Sequence, residues 1–271
     1  MARGCPRPRR SLRCDPSGLD HGGSVPSDRS RDAGRDRSRR DGRRRGVKVL
    51  AFDLDDTLVR WKPAVAEAAV RAAAAAAGSI DPAVLVRAVR QTWEDLAVPL
   101  WTGRMDEEGI TRATTSTLVA ALGISPDEGA ALYAAFVEHL SGLIVPYEDT
   151  AVLPALRERY RLGVATNGLG PVQRAKLRHA GLAPLFDFVV VSAEIGVAKP
   201  DPAFYEVVQR AADAPAREIT VVGDNVTRDL LPARAVGMAA VWICRNNEGL
   251  EETSWDGPVV TSLYQLESML V

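Results

Sequence analysis

Cysteine occurs three times in 271 residues, at Cys5, Cys14 and Cys244, too few and too scattered for a disulfide framework. Cys244 lies in an apolar, strand-like run and reads as a buried core thiol. Long apolar runs are also missing. Stretches such as the six alanines from Ala72 to Ala77 are short and weakly hydrophobic, far from the ~20 residues that a membrane-spanning helix needs. The N-terminus is basic but is followed by no apolar stretch of the kind that marks a secretory leader. These absences lead us to expect a cytoplasmic protein without a membrane partner. Residues 1–46 contain no Phe, Tyr or Trp and almost no aliphatic side chains, so they bury too little surface to offset the entropy of ordering. That segment is expected to be a disordered, Arg-rich tail, or the product of a start codon placed upstream of the true one.

Charge divides the chain in the same place. Residues 1–46 hold 14 Arg against 6 Asp, a balance of +8, which leaves −9 for the rest of a chain whose net charge is −1. Arginine clusters can neutralise nucleic-acid phosphates. Here interspersed acids dilute the field and no aromatic is available to stack on a base, so no nucleic-acid partner is expected. Hydrophobic content of 46% and charged content of 25% are those of an ordinary globular protein.

From Val47 the pattern changes to Val-Lys-Val-Leu-Ala-Phe-Asp, an apolar run of strand length that ends at a carboxylate. Similar runs recur at 162–166, 188–191, 219–223 and 239–243, with helix-like segments between them at 171–180, 202–212 and 228–236. Asp201-Pro202 starts the second of these as an N-cap and first-turn pair, with Phe204, Val207, Val208 and Ala211 on one face. Strands alternating with helices predict an α/β fold with a parallel, Rossmann-like sheet. Residues 60–148 interrupt it without a strand signal. Leu85, Val89, Trp93 and Leu96 recur at helical spacing after Asp81-Pro82, and Ser125-Pro126-Asp127-Glu128 reads as a capping box ahead of Leu132, Phe136, Val137 and Leu140. The expected organisation is therefore a core of residues 47–59 and 149–271 with an inserted helical domain, 60–148.

In parallel α/β sheets, ligands bind beyond the carboxyl ends of the strands. The first strand runs into Asp53-Leu54-Asp55-Asp56-Thr57, the second into Thr166-Asn167-Gly168 and the fourth into Gly223-Asp224, with Asp229 five residues on; Lys199-Pro200 follows the third. A carboxylate can attack phosphorus, but two anions repel, so a cation must lie between them and donors must face the other phosphate oxygens. Mg²⁺, which takes a few oxygen ligands and keeps positions for water and substrate, suits that task, with Asp53 and Asp224 as side-chain ligands. Lys199 supplies fixed positive charge, and the Thr166 hydroxyl and the amides of the Thr166-Asn167-Gly168 turn can cradle an anion.

At these positions the chain resembles the haloacid dehalogenase (HAD) superfamily, whose four motifs correspond in order to Asp53–Thr57, Thr166 with Asn167, Lys199 before Pro200, and Gly223-Asp224 through Asp229. The resemblance covers roughly residues 47–245. It implies that Asp53 is the nucleophile and that Asp55 is a general acid that protonates the leaving oxygen and then activates water. It further implies a metal ligand in the main-chain carbonyl of Asp55 and a direct or water-mediated one in Asp229. The dehalogenase branch lacks an acid at the place of Asp55, so the resemblance favours a phosphatase, and the 60–148 insertion resembles the C1 cap that closes over small substrates. The expectation is a Mg²⁺-dependent hydrolase of small phosphorylated metabolites, monomeric or homodimeric. A HAD-type mutase or dehalogenase, and a non-catalytic protein whose basic tail binds nucleic acid, are the alternatives. His139, His179, Arg60 and Arg104 receive no role, and Trp61 and Trp101 are read as packing at the edge of the insertion.

Overall fold

The computed structural model describes residues 49–76, 79–245 and 255–270. The expected disordered tail, 1–46, lies outside them. Among the described residues six strands, β1 (Val49–Phe52), β2 (Arg161–Thr166), β3 (Phe188–Val191), β4 (Ile219–Gly223), β5 (Ala239–Ile243) and β6 (Val259–Val260), form one parallel sheet in the order β3-β2-β1-β4-β5-β6. The expected Rossmann-like α/β class is therefore what the chain adopts.

Side chains alternate across a strand with period two, and β1 shows what that requires when both faces are covered. Leu50 and Phe52 join one apolar cluster with Leu153, Leu156, Leu177 and Leu263, whereas Val49 and Ala51 join another with Phe204, Val208 and Ala233. The first cluster is supplied by α6 (Leu153–Arg159), α7 (Gly170–His179) and α11 (Leu263–Met269), the second by α9 (Pro202–Ala212) and α10 (Leu231–Ala235). A four-residue helix, α8 (Ser192–Ile195), follows β3. Cys244 is buried, as its apolar setting suggested. The expected helix over 228–236 is divided. Val226–Leu230 form a π-helical turn, and regular helix begins only at Leu231.

Among the described residues of the 60–148 insertion are five α-helices, α1 (Trp61–Ala75), α2 (Pro82–Asp95), α3 (Ala97–Trp101), α4 (Glu107–Leu122) and α5 (Pro126–Leu143). Their start signals act as the residue types dictate. Asp81 accepts a hydrogen bond from the Ala83 amide at 2.8 Å, and Ser125 and Glu128 form a reciprocal capping box. Ala64, Ala68, Ala69 and Ala72 are buried on α1, small enough to let α5 approach with Phe136 and Leu140. Val137, read from spacing as part of that stripe, is exposed. The two passages between these helices and the sheet run side by side, with the Arg60 amide donating to the Val145 carbonyl at 2.9 Å and that of Tyr147 to Leu58 at 3.0 Å.

Strand order reverses direction at β1, whose neighbours are β2 and β4. The carboxyl ends of β1 and β4 therefore open on one crevice, where this topology places ligands. Gly223 closes β4 beneath that crevice, and a Cβ there would lie 2.6–2.7 Å from the side chain of Asp229, which is buried. Gly223→Ala is expected to lower stability by ~1–3 kcal/mol through overpacking, read as a reduced urea midpoint. An unchanged midpoint would show that Asp229 is free to move.

Candidate active site

The β1 register brings Phe52 level with Val222, and the next residue, Asp53, continues the ladder by donating its amide to the Val222 carbonyl at 2.8 Å. Its carboxylate therefore emerges at the rim beside the end of β4. Lys199 reaches it from the loop after β3. The Lys199 ammonium, only 4% exposed, lies 2.6 Å from Asp53 Oδ1, 2.6 Å from Asp229 Oδ1 and 3.0 Å from the Ala165 carbonyl. Three acceptors match its three donors. Asn167 fixes the main chain of that lysine in both directions, accepting from the Lys199 amide at 2.9 Å and donating to its carbonyl at 3.0 Å. In this arrangement the Asn167 side chain positions Lys199. Thr166, buried at the end of β2, accepts from Gln173 Nε2 at 2.7 Å.

Asp229 stands in the π-helical turn, and that turn is why a residue five positions after Asp224 still points to the same place. Its second oxygen accepts from the Asn225 amide at 3.1 Å, and the Tyr205 hydroxyl lies 3.0 Å from its carbonyl. Carboxylate oxygens of Asp53, Asp224 and Asp229 all fall within 4.8 Å of one another. Burial, with Asp229 and Asp224 adding to it against the pull of Lys199, pushes Asp53 up to about 8. Asp224 is pushed up to about 6, again by burial first and Asp229 next, against Lys62. Burial acts to lower Lys199, yet Asp229 and Asp53 outweigh it and raise the ammonium above its ordinary value. By formal charge, the three carboxylates of the cluster face two ammoniums, Lys199 and Lys62, a surplus of one negative charge. An all-carboxylate, partly buried donor set with that surplus fits a hard divalent cation such as Mg²⁺.

Asp55 faces the same crevice but is held from another side. Lys176 on α7 lies 2.8 Å from both of its oxygens, and Gln173, one turn earlier, donates to it at 3.0 Å. The Lys176 ammonium in turn sits 3.6 Å from the Trp61 ring centroid. Asp56, at φ 60°, turns back to accept from the amides of Trp61 and Lys62 at 3.1 and 2.9 Å, which fixes the start of α1. Lys62 then reaches Asp224 at 3.2 Å. Gln173, Lys176 and Lys62 were not anticipated from sequence. The usable signal was spacing, since Gln173 and Lys176 share a helix face in the segment that follows the Thr166-Asn167-Gly168 turn. Trp61, Trp101 and His179 line the crevice, whereas His139, Arg60 and Arg104 do not.

Removing Lys199 would leave Asp53 and Asp229 facing each other without the cation between them. Lys199→Met is expected to destabilise the fold by ~3–5 kcal/mol, measured by urea denaturation in chelator. An unchanged midpoint would mean that this buried pairing contributes nothing to stability.

Residues 47–237 match the family model described as haloacid dehalogenase-like hydrolase. The phosphoserine phosphatase of Thermus thermophilus is 31% identical over 227 residues, covering 73% of this chain and 89% of the relative. The Escherichia coli pyrimidine 5'-nucleotidase YjjG is 28% identical over 190 residues, covering 66% and 81%. Among solved structures, a 2-haloacid dehalogenase from Pseudomonas syringae superposes with a TM-score of 0.58 at 27% identity, covering 83% of this chain and 98% of that one. With its parallel sheet, its four rim segments and this match over most of its length, the chain belongs to the haloacid dehalogenase-like hydrolases.

Proposed function

We propose that the protein is a Mg²⁺-dependent phosphatase of small phosphomonoesters that works through an aspartyl-phosphate. The observation that carries this reading is the pair Asp53 and Asp55 on one crevice, together with an Asp53, Asp224 and Asp229 cluster whose negative charge exceeds that of its lysines. A second carboxylate serves a leaving group that needs a proton, and a charge-deficient oxygen cluster serves a cation on phosphate. Loss of a halide calls for neither. The names of two relatives, a phosphoserine phosphatase and a pyrimidine 5'-nucleotidase, agree with this reading.

In the proposed reaction Asp53 attacks phosphorus, and the bond to the ester oxygen breaks as Asp55 gives that oxygen a proton. Water then attacks the phosphorus of the aspartyl-phosphate and Asp55 takes its proton, which frees inorganic phosphate and the Asp53 carboxylate. Mg²⁺ held by Asp53, Asp224, the Asp55 carbonyl and Asp229, directly or through water, would supply positive charge to the phosphoryl oxygens. Lys199 holds Asp53 in place and lends its charge to the same region, with Thr166 and Asn167 bordering the phosphate. Lys176 occupies both oxygens of Asp55, so proton donation requires Asp55 to exchange Lys176 for the ester. Residues 60–148 act as a cap, with Trp61 and Lys62 of α1 and Trp101 of α3 facing the sheet's rim, as a lid excluding bulk water would need.

Phosphate release from a panel of phosphomonoesters tests this. Turnover is expected with Mg²⁺, to be lost in chelator, and to fall by at least ~10³-fold in Asp53→Asn, in line with loss of a nucleophile. Halide release from 2-haloacids in place of phosphate would give the dehalogenase reading instead. Asp55→Asn is expected to slow alkyl phosphates by ~10²–10⁴-fold, the usual worth of general acid catalysis, and 4-nitrophenyl phosphate much less. Equal losses on both esters would remove Asp55 from the proton transfer.

A further inference from the structure

The crevice that holds the catalytic carboxylates extends beneath the inserted helices as a cavity of about 910 Å³. That is near the upper end of the range for pockets that enclose drug-sized ligands, and much more than a phosphate with a two- or three-carbon chain requires. Away from Asp53, its wall is formed by Val65, Ile110, Tyr133 and Leu140, all buried, and by Trp93 and Trp101, half-buried. Apart from the hydroxyl of Tyr133, the only polar side chains buried within the described residues of the 61–144 segment are Thr92 and Thr114, and neither of these two lines the cavity. Each donates to a carbonyl of its own helix, Ala88 and Ile110 respectively. The charged residues of the lining that belong to this segment, Lys62, Arg90, Glu94 and Glu107, are exposed.

A buried ammonium or carboxylate on a substrate needs a buried partner of opposite charge, because desolvation otherwise outweighs binding. Among the described residues of the inserted helices every charged group at the cavity is exposed, and the buried ammoniums on the core side, Lys176 and Lys199, are already paired with Asp55, Asp53 and Asp229. Tryptophan and tyrosine walls instead suit flat apolar groups, which they contact over a large area. We infer that the alcohol released from the phosphomonoester carries a flat apolar ring, and that short charged alcohols such as serine are poor leaving groups for this site. This inference rests on the phosphatase reading for the reaction, but the cavity's preference can be read separately by binding.

The test compares 3-phenylpropyl phosphate, propyl phosphate, phosphoserine and a nucleoside 5'-monophosphate on the full chain with Mg²⁺. The two propyl esters release alkoxides of similar basicity, so their ratio reports binding of the ring. We expect kcat/KM for 3-phenylpropyl phosphate to exceed that for propyl phosphate by at least ~10-fold, the scale on which apolar pockets discriminate, with phosphoserine no better than propyl phosphate. Calorimetry with Asp53→Asn should show the same order of affinities, and Trp93→Ala should bring the ratio toward one. The nucleotide separates a nucleobase from a benzenoid ring as the source of the flat group. Propyl phosphate or phosphoserine equal to both ring-bearing esters, in turnover and in binding, would overturn the inference while leaving the phosphatase reading intact. Selective binding of a ring-bearing ester without turnover of any ester would uphold the cavity's preference and reject the phosphatase reading. Should Trp93→Ala fail to fold, the wild-type series still decides.

Discussion

The rim is organised around one ammonium. Lys199 lies between Asp53 and Asp229, with the Ala165 carbonyl as its third partner, so it ties the ends of β1 and β2 to the turn after β4. Two carboxylates this deeply buried repel each other, and each loses hydration. The lysine offsets both costs and is itself raised by doing so. Much nearby structure serves that placement. Asn167 grips the lysine's main chain on both sides, Gly223 leaves room for Asp229, and the π-helical turn brings Asp229 back over the end of β4. Lys199 and Lys62 together do not neutralise three carboxylates by formal charge, and the remaining surplus is what a divalent cation and an anionic substrate complete together in the proposed reaction.

The same surplus accounts for contacts made from above. Lys62 of α1 reaches Asp224, while Trp61 covers the lysine that pairs with Asp55. Trp101 of α3 lies 5.5 Å from the Arg228 guanidinium beside Asp229. The inserted helices thus meet the rim through cations and aromatic rings, contacts that adjust to a ligand more readily than interlocked aliphatic packing. In the proposed reaction, such an interface would let these helices open and close over a charged ester.

Most of the sheet was legible because both of its faces are covered. Strands such as Val49–Phe52 read as unbroken apolar runs ending at polar residues, and the polar residues at those ends, Asp53, Thr166 and Asp224, stand at the rim. Helix starts were legible where chemistry marks them, at Asp81, Ser125 and Asp201. Partners across the site were not. A lysine on a helix reads as solvated, and the face that Lys176 shares with Gln173 points toward the site without revealing that its ammonium is buried between Asp55 and Trp61. Nor does apolar spacing reveal the π-helical turn at 226–230, which goes with the placement of Asp229 against Gly223 and Lys199 rather than with any periodicity. Val137 fitted the stripe of α5 by spacing alone and proved exposed.

The most direct test of the central claim is to quench a single turnover with acid, using a ³²P-labelled phosphomonoester that the protein hydrolyses, and to locate the label by peptide mapping. Our account predicts acid-stable label on the peptide containing Asp53, formed no more slowly than inorganic phosphate appears and absent in Asp53→Asn. Phosphate released at the full rate with no label on the protein at any time, or label on a different residue, would contradict it.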